Sequence, residues 1–215
     1  MSNKSGVSVL IPLSKYDDLT EETICSVVKQ TFFRWEMIIG IFKCGVSSQL
    51  EKEINKYVSK FQKNGLNIRV IVYGMEEKFD VVNNMVFDAS YEYISVVENG
   101  NLWFSDKLEK QFPFLQNYDV VGSKSEYYGD YSGFPNIRVG ELCDTDFLMR
   151  NPVCDSTVII HKKDAFWEEN QENFCYEMWV RLNKNKRKFY NVDKVLCKER
   201  KLKKERTNFF EKQEV

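Results

Sequence analysis

The residues of this 215-residue chain best equipped for chemistry lie in one short turn, Glu98-Asn99-Gly100-Asn101. A carboxylate at Glu98 and an amide carbonyl at Asn101 are hard oxygen donors, the kind that Mg²⁺ or Mn²⁺ takes, so these two are the candidate metal ligands. A basic run near the end, Arg200, Lys201, Lys203, Lys204 and Arg206, reads either as fixed charge for a phosphate or as a solvated end segment. Asp144 and Asp146 form a local D-x-D away from any strand end and read as a capping or solvated pair. The six cysteines are scattered without a C-x-x-C spacing and read as reduced thiols. The single histidine, His161, leaves no Ser-His-Asp relay and no His-rich metal site.

The turn needs a frame. It follows Tyr93 to Val97, an apolar run with the pattern of a strand buried on both faces. It precedes a helix with Ser105 or Asp106 as N-cap and Leu108 and Phe112 at helical spacing. In an open α/β sheet, ligands bind outside the carboxyl ends of the strands, which is where this turn belongs. Upstream, Val7 to Pro12 reads as a strand stopped by proline, and Thr20 as the cap of a helix whose first turn holds Glu21 and Glu22. A strand at Trp35 to Ile41, a helix from Ser47 or Ser48 to about Gln62, a strand at Asn67 to Tyr73 and a helix at Lys78 to Ala89 follow. This alternation indicates right-handed βαβ units and a parallel sheet.

Downstream, Asp119 to Gly122 suggests a fifth strand. From Tyr127 to Val153 the periodicity fails, which marks a functional loop region or a solvated excursion. Ser156 to His161 reads as a strand, Phe174 to Asn183 as a helix, and Lys188 to Val192 as the approach to a last strand at Val195 to Cys197. With 43% apolar and 29% charged residues, the chain is expected to form a single α/β domain over 1–215. A formal net charge of −1 gives no electrostatic reason to seek nucleic acid. No apolar run approaches the ~20 residues that span a bilayer, and no signal peptide opens the chain, so a cytoplasmic location is expected.

The chain resembles family-2 glycosyltransferases with the GT-A fold. Their acidic strand-end motif, hydrophobics followed by D-x-D-D, an apolar residue and Trp, is framed here by SVV and LW. Glu98 stands at the first Asp, Gly100 at the second and Asn101 at the third. VSVLIP resembles the family's opening strand, and EETICSVVKQTFFRWEMIIG resembles the segment after it. Lys78, Asp80 and Asn83 match a K-x-D-x-x-N helix start, and YEMWVRL matches the helix after the acceptor loop. The resemblance implies a Rossmann-like α/β fold with a mixed, mostly parallel sheet flanked by helices. It further implies inverting transfer of a hexose from a UDP- or GDP-sugar to a protein or glycan, aided by Mg²⁺ or Mn²⁺. Pro12, Phe42, Lys78, Asn83, Glu98, Asn99, Asn101 and Arg200 then fall on the donor side, and Asp155, Ser156 and Trp179 on the acceptor side. Residues 1–122 make the donor half, 123–200 the acceptor half and 201–215 a basic tail.

Several positions depart from the family pattern. Ile41 and Phe42 stand where an Asp or Asn recognises the nucleobase, although Phe42 could stack on a base. Phe174 and Cys175 stand at the Glu-Asp pair that holds the catalytic base, and a neutral thiol is no carboxylate. Glu172 and Glu177 are the nearby substitutes. Glu199-Arg200-Lys201-Leu202 keeps the arginine of the tail motif without its histidines. Two readings follow: a divergent sugar transferase that neutralises diphosphate without metal, or a non-catalytic subunit partnering an active glycosyltransferase or its own copies. The eroded site tips the balance toward the second.

Overall fold

The computed structural model describes residues 5–42, 47–75, 77–148, 150–168 and 174–203. Strand β1 (Val7–Leu13) is buried at all seven positions, and its sequence is accordingly apolar without alternation. Helix α1 (Asp18–Val28) returns to β2 (Trp35–Ile41), and α2 (Ser47–Lys63) to β3 (Ile68–Val72). Helix α3 (Lys78–Asp88) leads to β4 (Tyr93–Val96). These four strands are parallel, in the spatial order β3-β2-β1-β4. Pro12 does not stop β1. It lies past the last pairing with β4, Leu10 with Val96, where a missing N–H costs little. The α1 cap is Asp17 rather than Thr20: Asp17 Oδ1 accepts from Thr20 N at 3.1 Å, and Thr20 Oγ1 accepts from Asp17 N at 3.2 Å.

The second half is less regular. Strand β5 (Leu102–Trp103) precedes α4 (Lys107–Gln111), which tightens into a 3-10 turn at Phe112–Gln116. Strand β6 (Val120–Gly129) runs seven residues beyond Gly122, so Tyr127 to Gly129 belong to the sheet and not to the irregular region. Strand β7 (Gly140–Glu141) and a 3-10 turn at Asp144–Phe147 interrupt that region further. Asp155–Thr157 forms another 3-10 turn, leaving β8 (Ile159–His161) shorter than its apolar run suggests. Helix α5 (Phe174–Lys184) is followed by β9 (Phe189–Lys201), one strand of 13 residues. The last strand thus runs past Cys197 and takes in Arg200 and Lys201 of the basic run; Lys204 and Arg206 lie outside the described residues.

The full order is β3-β2-β1-β4-β8-β6-β9-β5, with β7 on β9. The sheet is mixed: β8 is antiparallel to both β4 and β6, while β6 and β9 are parallel. Alternate residues of a strand serve opposite faces. Val9 and Ile11 pack with Ile24, Met37 and Leu108 on one face, and Leu10 packs with Ile38, Met85 and Trp179 on the other. The chain steps from β1 through β2 to β3 in one direction and then places β4 on the opposite side of β1. The β1/β4 boundary is therefore the switch point of the sheet, where a crevice opens beyond the strand ends.

Candidate functional site

The turn after β4 occupies that crevice. Gly100, at φ +91°, takes the left-handed conformation that closes it. The backbone of the turn is held by two side chains, Thr23 and Tyr128. Gly100 N donates to Thr23 Oγ1 at 3.0 Å, Thr23 Oγ1 donates to Asn101 O at 3.0 Å, and the Tyr128 hydroxyl donates to Gly100 O. The Asn101 side chain is spent at both ends. Its Nδ2 donates to Ser156 Oγ at 2.8 Å, and its Oδ1 accepts from Arg200 N at 2.8 Å. Ser156 is buried, and its carbonyl takes the Trp103 indole N–H at 2.8 Å. Two polar atoms beside the turn are buried without a partner, Asn99 Oδ1 and Arg200 Nε, although buried polar groups are ordinarily paired.

Glu98 projects from the turn and forms an ion pair with Lys78, the first residue of α3. The donor set does not suit a divalent cation. Such ions want several carboxylate or carbonyl oxygens, whereas the Glu98 carboxylate already holds an ammonium, the one Asn101 side-chain oxygen accepts from Arg200 N and Gly100 has no side chain. Among the described residues no group of three or more His, Cys, Asp or Glu could hold a metal.

Below the turn, Lys78, Glu98, Asp155, Ser156, Trp167, Cys175 and Trp179 share a narrow pocket of about 20 Å³. That volume holds about one water. Asp155 is partly buried there. Its Oδ1 accepts from Trp179 Nε1 at 2.8 Å and from Asn151 Nδ2 at 2.9 Å, and Oδ2 accepts no hydrogen bond among the described residues. Burial pushes the Asp155 carboxyl above its ordinary range against the pull of those two donors, and the charges of Glu199 and Glu98 push the same way. Burial, with Asp155 nearby, likewise pushes the Cys175 thiol up, so it stays protonated at neutral pH.

The remaining candidates are placed elsewhere. Pro12 is buried within β1, and Phe42 is buried in the core against α3. Asn83 is tied at both ends to the Trp167 backbone, at 2.7 and 2.9 Å. Glu177 is exposed and does not line the pocket, and Glu172 lies outside the described residues. Asp144 meets Lys186 at the surface, while Asp146 accepts from Cys143 N, a capping bond. Thr23 and Tyr128, which clamp the turn, carry no signal in the sequence, since each reaches it from a remote element.

No protein-family model matches the chain. Its fold is that of the GT-A glycosyltransferases. Residues 1–349 of S. aureus TarS, solved with UDP-GlcNAc, superpose with a TM-score of 0.72 at 19% identity over 93% of this chain. The mannosyltransferase PcManGT from Pyrobaculum calidifontis, solved with GDP-Man and Mn²⁺, gives 0.70 at 11% over 92%. In sequence the chain is similar to proteins named as glycosyltransferases. It is 27% identical over 125 residues to TuaG of Bacillus subtilis, named for teichuronic acid biosynthesis, and 23% over 194 residues to the O-antigen biosynthesis enzyme WbnJ of Escherichia coli. The matches cover 47% of TuaG, 71% of WbnJ and 60% of that TarS chain, so these proteins extend beyond the matched part. Among the described residues no helix is long and apolar enough to cross a membrane.

Proposed function

We propose that the chain is a family-2-like glycosyltransferase domain that binds a nucleoside diphosphosugar at the β1/β4 switch without a divalent cation. One observation carries this reading. The Glu98–Asn101 turn lies outside the strand ends with two cations beside it, Lys78 paired with Glu98 and Arg200, whose side chain lies over Gly100, and with Arg200 Nε and Asn99 Oδ1 unpartnered. Preorganised cations stabilise the charge that develops on a departing diphosphate, and their work needs no metal. The UDP, UDP-GlcNAc and GDP-Man found in the structural neighbours support the ligand class. In this reading residues 1–122 carry the donor side and 123–200 the acceptor side.

A second reading, a non-catalytic partner subunit, has its own support in the narrow pocket and in the thiol at the family's base position. Titration calorimetry with UDP-, GDP- and dTDP-sugars, in EDTA and in Mn²⁺, tests the donor reading. One donor should bind equally well in both, and Lys78→Met should weaken it about tenfold or more, the loss of one charge-assisted contact. Binding that requires Mn²⁺ would overturn the metal-free assignment. No binding would leave the partner-subunit reading.

A further inference from the structure

The family's base is replaced by a thiol in this chain, but a carboxylate stands next to it from another direction. We infer that Asp155, on the 3-10 turn before β8, is the group that takes the proton from the acceptor hydroxyl. This rests on the donor reading above.

The geometry is that of an oriented base. Asp155 and Cys175 line one pocket, so the carboxylate faces the position that the family's base would occupy. One oxygen, Oδ1, is fixed by two donors on separate elements, Trp179 on α5 and Asn151 in the preceding loop. The other, Oδ2, accepts no hydrogen bond among the described residues. A tethered oxygen sets the direction of the free one, and a base must reach its proton within hydrogen-bond distance. The pocket's volume suits one hydroxyl group or one water. Glu98 belongs to the donor turn, where its Oε2 holds Lys78. Glu177 points to solvent.

The step balances. The acceptor oxygen forms a bond to the anomeric carbon as its proton passes to Asp155 Oδ2. The bond from that carbon to the diphosphate oxygen breaks, and the electron pair leaves with the nucleoside diphosphate. Lys78 and Arg200 meet the added negative charge.

The test separates this inference from the donor reading by measuring binding and turnover together. Donor affinity is read by calorimetry, and release of free UDP or GDP is followed with water and with a panel of sugar acceptors. Asp155→Asn keeps the oxygen that Trp179 and Asn151 hold. It should leave donor affinity unchanged and cut release about 100-fold or more. The wild-type rate should fall at low pH as Asp155 is protonated, and Asp155→Asn should flatten that limb. Adding Cys175→Asp to Asp155→Asn should return part of the rate by restoring a carboxylate to the pocket. Should Asp155→Asn fold poorly, Trp179→Phe removes the orienting bond and should lower kcat without changing donor affinity. Full release by Asp155→Asn would overturn the inference while the donor reading stood. Donor binding with no release by the wild type would also overturn it, and absence of donor binding would remove both.

Discussion

At the residue scale, the chain contains a charge that its own burial works to remove. Lys107 opens α4 with its whole side chain buried, Nζ lying 3.9 Å from the Trp103 ring centroid and 3.5 Å from Ser95 Oγ. Burial pulls its pKa down from 10.5 to about 7. The folded state therefore binds fewer protons than the unfolded chain between those values, and stability should rise with pH from about 7 to about 10. Lys107→Met, of similar volume, should stabilise the protein at pH 6 by about 1–3 kcal/mol and flatten that rise, as read from urea midpoints across pH. Nothing in the sequence distinguishes Lys107 from its exposed neighbour Lys110; only the closing of β5 and β9 over it does. The site shows the same division. Glu98 and its glycine were legible because a strand, a polar turn and a helix follow one another within one stretch. Lys78, Asp155 and Trp179 are candidates in the sequence too, but the pairings that define the chemistry are not visible there, since Lys78 lies 20 residues before Glu98 and Trp179 lies 24 residues after Asp155.

At the scale of elements, the amino-terminal half follows its sequence closely because each strand and helix carries its own period and cap. β2 runs from Trp35 to Ile41 as its apolar run indicates, and α3 starts at Lys78. Two local expectations fail there: Pro12 does not stop β1, and the cap of α1 is Asp17 in a reciprocal box whose third residue is Thr20. Asp17→Ala should cost about 1 kcal/mol in thermal or urea unfolding. It should also loosen the turn, because Asn99 Nδ2 reaches Asp17 Oδ1 at 3.5 Å. The later half was harder to read for a physical reason. β9 reads in blocks, with charged Asp193-Lys194 dividing Phe189 to Val192 from Val195 to Cys197, beside an irregular pairing with β6 at Ser123 to Ser125, so its local pattern breaks into two short pieces. Its continuity comes from pairing with β5, β6 and β7 together.

At the scale of the molecule, the two ends of the sheet do different work. Opposite the crevice, Glu36 of β2 is fully buried and accepts from Ser8 Oγ at 2.7 Å, from Ser90 Oγ at 3.1 Å and from Arg69 at 3.1 Å. Burial pushes its carboxyl up, and the bonds from Ser8, Ser90 and Arg69 outweigh this and hold it below the ordinary value. Its contribution is present above the unfolded-state pKa of about 4.3 and is lost as pH falls through the lower folded value, the reverse of Lys107. Glu36→Gln should cost about 3 kcal/mol at pH 7, make stability less steep below pH 5, and leave donor binding unchanged. The crevice end is assembled from parts far apart in the chain. Arg200 N closes the turn at Asn101 across 99 residues. A ribosome adding roughly 5–20 residues per second makes the turn about 5–20 s before it makes the strand that locks it. During that interval β1 to β4 can pair, while the turn holds an amide with no backbone N–H to accept from. A nascent chain halted before Arg200 is thus a sheet whose turn is not yet locked, and in the donor reading ligand capture waits on a residue made 99 positions after the turn.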